Sequence, residues 1–391
     1  MFKNYLRIAF RNLARHWAFS LLNILGLTIG MSACFLIFLY VRFELSYDRF
    51  HSRGDRIFRM VTDIKTPTET LNWSVASAPM AIAAKEEFPE IETVVRVNPQ
   101  SILVRKGDIK FQEEKSAFAD SGFFHVFDFP LLQGDPQTAL REPLSVVLSE
   151  SAAKKYFGKG NPMGQTLLLT DGNYTAKVTG VMKDMPNNTQ LNADVLISQS
   201  TAKRFDSAAD QNWGNFGLFS YLLLKPNTDS RALEKKLPGM LRKRVGTFMD
   251  QNNLHYTLFL EPFPEVYLKS TRGGPESGSL TNLYVFSIVG IFILLIACIN
   301  FINLTTARST ERAKEVGIRK VIGAERGQLT QQFLGESVLL CLISFFLSVL
   351  TCTICLGLFN DLAGKTVSTG VFHHPGYILS LLLIAIGIGV L

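Results

Sequence analysis

Cysteine is scarce in this chain, five among 391 residues, and none falls between Arg42 and Asn282. The long central region is therefore held without disulfides. Cys34, Cys298, Cys341, Cys352 and Cys355 instead sit in or beside uncharged runs. Cys352 and Cys355 have C-x-x-C spacing, but inside such a run and far from a second ligand pair, which argues against a metal or redox site. Histidine is equally sparse: His125 and His255 lie far apart, and His373 and His374 are adjacent near the C-terminal end, so no catalytic constellation emerges. Two strings come near a phosphate loop. Gly160-Asn161-Pro162-Met163-Gly164-Gln165-Thr166 has Gln where the Lys belongs, and Gly364-Lys365-Thr366 has Phe359 where the first Gly belongs. The reading is a non-enzyme that binds no cofactor or metal itself.

Charge is missing from long stretches. Residues 17–41 carry none, and they exceed the roughly 20 residues that cross a bilayer. Residues 283–304 form a second span, and residues 333–359 a third whose one charge is Glu336 near its end. A fourth, 377–391, is still apolar where the sequence stops. Lys3, Arg7, Arg11 and Arg15 fit a signal-peptide flank, but the first run is too long and no A-x-A-like site follows before Arg42, so it reads as an uncleaved anchor. Phe2, Leu6, Phe10 and Leu13 fall near one side of a helix and Arg7, Arg11 and Arg15 on the other, predicting over 1–16 an amphipathic helix on the cytoplasmic membrane surface. Gly26, Gly30 and Cys34 recur every four residues, a seam that a neighbouring helix can approach closely. Asn23, Asn300 and Asn303 are polar groups near membrane depth, expected to bond between helices or to water.

Positive charge sets the orientation. The N-terminal flank is basic, and 305–332 carries Arg308, Arg312, Lys314, Arg319, Lys320 and Arg326 against Glu311, Glu315 and Glu325. Both are expected in the cytoplasm. The loop 360–376 is balanced, and 42–282 holds 29 basic against 28 acidic residues, so both are expected outside. The formal charge of +7 thus belongs mostly to the cytoplasmic flanks and does not argue for nucleic acid.

The 42–282 region is long enough for one or two domains and reads as mixed α/β. Helices are expected at 76–88, 151–157 and 230–245, and strands at 93–98, 101–105, 110–112, 144–148, 166–170, 174–181 and 219–224, with turns at Lys106-Gly107-Asp108 and Asp171-Gly172-Asn173. The fold class is an α-helical membrane bundle of four spans, the last truncated, with a large extracytoplasmic α/β domain inserted between spans 1 and 2.

Between the second and third spans runs Glu315-Val316-Gly317-Ile318-Arg319-Lys320-Val321-Ile322-Gly323-Ala324, continuing into Gln331-Gln332-Phe333-Leu334-Gly335-Glu336-Ser337. Glu315 and Arg319 are an i, i+4 pair, Gly323 suits a helix stop, and Ile318, Val321 and Ile322 make an apolar patch among charges. These stretches resemble the permease subunits of the MacB/FtsX class of bacterial ABC transporters. Val146-Val147-Leu148-Ser149-Glu150, Phe157-Gly158, Asn161-Pro162-Met163-Gly164, Val178-Thr179-Gly180-Val181-Met182 and Pro186-Asn187-Asn188 are similar to the periplasmic core domain of that class, and the opening Asn4 to Leu13 is similar to the start of its members.

The resemblance implies a multi-pass inner-membrane protein with its N-terminus in the cytoplasm and its large domain outside. It implies an ABC ATPase subunit as partner, carrying ATP and Mg, and Glu315, Gly317, Ile318, Arg319, Lys320, Val321, Ile322, Gly323 and Ala324 as the coupling contact. A second permease half or a homodimer, the lipid bilayer and a periplasmic adaptor complete the implied partners. The implied work is export or extraction of a peptide, lipoprotein or drug. The other classes in view are a membrane sensor of antimicrobial peptides and a regulator of a cell-wall hydrolase. Nothing in the chain resembles the nucleotide-binding domain that MacB carries at its N-terminus, a departure from MacB, and the opening helix at Met1 leads to the expectation of a separate ATPase.

Overall fold

The computed structural model describes residues 11, 13, 15–170, 174–202, 208–307, 313, 316–318, 320–321, 326–367 and 375–390. The chain divides into a helical unit, Met1–Leu45 with Leu280–Leu391, and a second unit, Ser46–Ser279.

In the helical unit, Trp17–Leu45, Leu280–Ala307 and Arg326–Ala363 are joined by a shorter helix, Pro375–Val390. The three long helices are long and apolar enough to cross a membrane, and the short one falls below that length. The first continues past residue 41 through Arg42 and Glu44, and the third begins at Arg326. The amphipathic helix expected over 1–16 lies mostly outside the described residues.

Two seams pack the first helix. On one, a Cβ built on Gly30 would stand 2.5 Å from Ala297 Cβ, and one on Gly26 3.2 Å from Asn300 Nδ2. On the other, Ser348 Oγ donates to Thr28 O at 3.1 Å and Cys352 Sγ to Ser32 O at 3.4 Å, small polar groups four residues apart that let two backbones approach. Leu27, Met31, Phe35 and Leu39 fill the core with Phe301, Cys341, Phe345 and Ala385.

The second unit is built on one sheet. Its strands are β1 (Ile57–Lys65), β2 (Thr70–Trp73), β3 (Ala76–Ser77), β4 (Ile91–Pro99), β5 (Ile102–Lys106), β6 (Ile109–Glu113), β7 (Ser116–Ala119), β8 (Leu131–Gln133), β9 (Ser145–Ser149), β10 (Thr166–Leu169), β11 (Tyr174–Met182), β12 (Val195–Ser198), β13 (Phe216–Leu224) and β14 (His255–Pro262). Among the described residues the order is β14-β1-β13-β4-β7-β12-β9-β11-β10-β5-β6. β7 with β12 and β9 with β11 are parallel pairs. One core lies under Ala78–Glu87 and Leu237–Gln251, a second gathers Phe123, Phe127, Phe129 and Phe263, and a third sits under Glu150–Phe157.

Local signals explain several elements. Ser149 Oγ accepts from Ala152 N at 3.1 Å, and Gly158 at φ 59° closes that helix. The helix expected over 230–245 is instead two, Ser230–Glu234 and Leu237–Gln251. Pro238 stands in the first turn of the second, where it interrupts no intrahelical bond, whereas a continuous helix would place it mid-helix. The turn expected at 171–173 lies outside the described residues. Strands β1, β2, β3, β7, β8, β12 and β14 are not among those expected, and β3 takes Ala76 and Ser77 from the start of the helix expected over 76–88, which runs Ala78–Glu87 with Pro79 in its first turn. β1 and β14 pair antiparallel over eight positions, from Phe58 opposite Pro262 to Lys65 opposite His255. The first long strand of the unit and its last are therefore neighbours.

Candidate functional site

The chain comes into this unit at Ser46, directly after the first long helix, and leaves it at Ser279, directly before the second. Inside the unit the two passages are bonded to one another. The Tyr47 ring lies flat on Tyr267, centroids 3.5 Å apart with 2° between planes, and the Tyr47 hydroxyl donates to Glu276 Oε2 at 2.8 Å.

The loop over residues 186–191 holds the inbound passage from another side. Asn188 Nδ2 donates to Ser46 O at 3.1 Å and to Ser46 Oγ at 2.9 Å, while Asp48 N donates to Asn188 O at 2.9 Å. The Asp48 carboxylate accepts from Thr189 Oγ1 at 2.6 Å, from Gln190 Nε2 at 2.8 Å and from Gln190 N at 3.2 Å. Asp48 has φ 54°, a left-handed conformation that Asp tolerates better than most residues. Its burial raises the carboxyl pKa to about 6, against the lowering effect of the Thr189 and Gln190 hydrogen bonds, and the negative charge of Glu276 adds to the rise. Three residues on, buried His51 accepts at Nδ1 from Asp128 N at 3.0 Å and packs against Phe127, Phe129 and Phe263. Its burial lowers the imidazole pKa to about 4, with Asp128 opposing.

Ion pairs fasten the outbound passage to the sheet. Arg59, its side chain fully buried, faces Glu261 across the β1–β14 ladder and donates from Nη2 to Glu261 Oε2 at 2.7 Å and to Ser270 Oγ at 2.8 Å. Arg272 reaches Asp63 at 2.9 Å and Glu261 at 3.2 Å. A Cβ on Gly274 would come within 2.9 Å of Arg59 Nη1, so the outbound backbone lies close against that guanidinium. What this arrangement can do is mechanical, because displacing either passage strains hydrogen bonds to the other and to the sheet.

Of the residues singled out in the sequence, Gly317, Ile318, Lys320 and Val321 are exposed, Ile318 to 63% and Val321 to 88%. Glu315, Arg319, Ile322, Gly323 and Ala324 lie outside the described residues. Gly26 and Gly30 face the second long helix as given above, and Cys34 is half-buried. Asn23 Nδ2 donates to Phe19 O at 3.1 Å, within its own helix. Sequence reasoning passed over Tyr47, Asp48, His51 and Glu276. Tyr47 and Glu276 are 229 residues apart, and the one local signal was Pro186-Asn187-Asn188, noticed only as part of a resemblance.

A helical bundle with three membrane-length helices and an inserted α/β unit defines a multi-pass membrane protein. Residues 20–239 match the MacB-like periplasmic core domain and residues 287–391 the FtsX-like permease C-terminal domain. The chain belongs to the MacB/FtsX permease family, and with its apolar helices this makes it a multi-pass inner-membrane protein. It is 29% identical over 273 residues to the probable syringafactin export ATP-binding/permease protein SyfD of Pseudomonas syringae pv. tomato, covering 68% of this chain and 37% of that protein. It is 32% identical over 208 residues to the macrolide export ATP-binding/permease protein MacB of Neisseria gonorrhoeae, covering 52% of this chain and 29% of that protein. The chain thus spans about a third of the length of these relatives. In fold it is similar to a crystallised domain, described as part of a permease, from Porphyromonas gingivalis, with a TM-score of 0.50 and 24% identity over 60% of this chain and 98% of that one.

Proposed function

We propose that this chain is the permease part of an ATP-driven exporter, in which movement of the membrane helices is delivered to the outer domain through the Tyr47–Glu276 junction. On this reading it crosses the membrane four times, with the N-terminus and residues 305–332 in the cytosol. The Glu315 to Ala324 segment meets a separate ABC ATPase that carries ATP and Mg. A second permease half or a second copy completes the membrane part, and the cargo is a peptide, lipoprotein or drug.

The observation that carries the reading is the bond from Tyr47 to Glu276. Any displacement of the first long helix is inherited through the covalent chain by Ser46, Tyr47 and Asp48. From there it reaches the outbound passage through Glu276 and Tyr267, and the 186–191 loop through Asn188 and Gln190. The relatives named for export support the same direction of work.

The test is hydrogen exchange on the full chain with its partner ATPase in a lipid disc, with and without ATP and vanadate. Protection over residues 46–51, 186–191 and 270–276 should change on nucleotide binding. Tyr47→Ala should abolish the change at 270–276 while ATP hydrolysis continues. Exchange in these segments indifferent to nucleotide would refute the proposed route.

A further inference from the structure

Within the second unit lies a cavity of about 340 Å³, in the size range of small-molecule sites. Phe123, Leu191 and Leu196, all buried, make part of its apolar wall. Gln190 also lines it. Its side chain is buried, its Nε2 donates to Asp48 Oδ2, and its carbonyl oxygen Oε1 meets no donor among the described residues. A buried acceptor left unmet is unusual in a folded protein and marks a place where a donor is expected. Glu276 stands in the wall half-buried, and Glu114 and Lys115 are exposed at the rim, two carboxylates against one ammonium. Asp48 lies directly behind Gln190 and adds a further carboxyl to that side.

An apolar wall, an unmet buried acceptor and an excess of carboxylates together favour a guest that brings apolar surface, hydrogen-bond donors and positive charge. We propose that this cavity binds a small amphipathic amine, its apolar body against Phe123, Leu191 and Leu196 and its ammonium directed to Glu276 and the Gln190 carbonyl oxygen. Glu276 and Gln190 are also the residues that hold Tyr47 and Asp48, so the ligand bears on the inbound passage. An ammonium placed there offsets the repulsion of Asp48 by Glu276, which adds a lesser part to the rise in the Asp48 pKa that burial chiefly causes. The proposal rests on the cavity and does not require the transport reading.

The test is calorimetric titration of the full chain in lipid discs with 1-adamantanamine, 1-adamantanol and 1-adamantanecarboxylate. The three share one apolar body and differ in the head group, and the alcohol reports partition into lipid. The amine should bind saturably, and at least about tenfold more tightly than either of the others. Glu276→Gln should lose about tenfold for the amine alone, because the amide oxygen still accepts from Tyr47 while the charge is gone. Ala117→Val, which narrows the cavity, should weaken all three. No saturable binding, equal binding of the three heads, or an amine affinity unchanged in both variants would each overturn the proposal. The comparison of head groups needs no variant, so it decides the matter even where a substitution misfolds.

Discussion

Asp48 and Gln190 meet through two donors of the same residue, the backbone N at 3.2 Å and the side-chain Nε2 at 2.8 Å, with Asp48 wholly out of solvent. A carboxylate in that position is costly when ionised, and the hydrogen bonds offset only part of the cost. The inbound passage is thus built around an ionisable group whose charge state changes near pH 6. Three residues away, His51 is shifted the opposite way.

These shifts predict a pH profile in which two slopes cancel. Asp48 has a folded pKa of about 6 against an ordinary 3.8, so its stabilising contribution is full below 3.8 and is lost as pH rises through about 6. His51 has a folded pKa of about 4 against 6.5, so its contribution is full above 6.5 and is lost as pH falls through about 4. Between these limits the wild-type unit should change little in stability. Asp48→Asn should leave the His51 slope alone, with stability falling on acidification by on the order of 2–3 kcal/mol, and His51→Gln should leave the reverse. Thermal melts of residues 46–279 across this range check it, and parallel profiles for all three proteins would refute it.

The Arg59–Glu261 pair predicts an asymmetry. Glu261→Ala strands a guanidinium that has no exposed surface, with Arg272 as a like charge nearby, and should destabilise the unit by about 3–5 kcal/mol. Arg59→Met leaves Glu261 still paired with Arg272 and accepting from Ser270 Oγ at 3.1 Å, and should cost less than half as much. Urea unfolding of both variants decides it, with equal losses counting against the assignment.

The membrane helices were legible because helices of a soluble core rarely run to bilayer length without a charge. The β5–β6 hairpin, with Gly107 at φ 58° in its turn, and the Ser149-capped helix carried their own local chemistry. β1 was not legible: Ile57–Lys65 is buried on both faces through most of its length and places Arg59 and Asp63 where alternation expects none. β7 and β12 are four-residue strands buried throughout, too short to show a period. The junction itself was out of reach, because Tyr47 and Glu276 are 229 residues apart and share a place only through the pairing of β1 with β14, which sets the two passages side by side.

At the first helical seam, Gly30 is held to glycine more strictly than Gly26. Its added Cβ meets another Cβ at 2.5 Å, whereas that of Gly26 meets the end of the Asn300 side chain at 3.2 Å. Gly30→Ala should therefore cost about 1–3 kcal/mol and Gly26→Ala less. The double variant Gly30→Ala with Ala297→Gly should recover most of the loss, because the displaced methyl group is then accommodated from the other side. Thermal unfolding in detergent measures all three, and a double variant no better than Gly30→Ala would show that the two residues do not share this contact.

Ile318 and Val321 are three residues apart, so they share one side of their helical turn, and both are exposed, Val321 to 88%. Apolar side chains this open beside Lys320 suit a groove on a partner better than water. If that partner is the ATPase, Val321→Asp should weaken its association. A carboxylate carried into an apolar groove loses hydration without gaining a partner, at a cost of about 2 kcal/mol or more, which is tens-fold in affinity. Lys365→Ala, in the loop that the proposed four-span topology puts on the opposite side of the membrane, is the matched control and should leave association unchanged. Co-purification of the ATPase with each variant, together with its rate of ATP hydrolysis, gives the answer. Equal retention and equal hydrolysis in the two variants would remove the 315–324 segment as the contact and leave the basic N-terminal residues, which the proposed topology also puts in the cytosol, as the next element to examine.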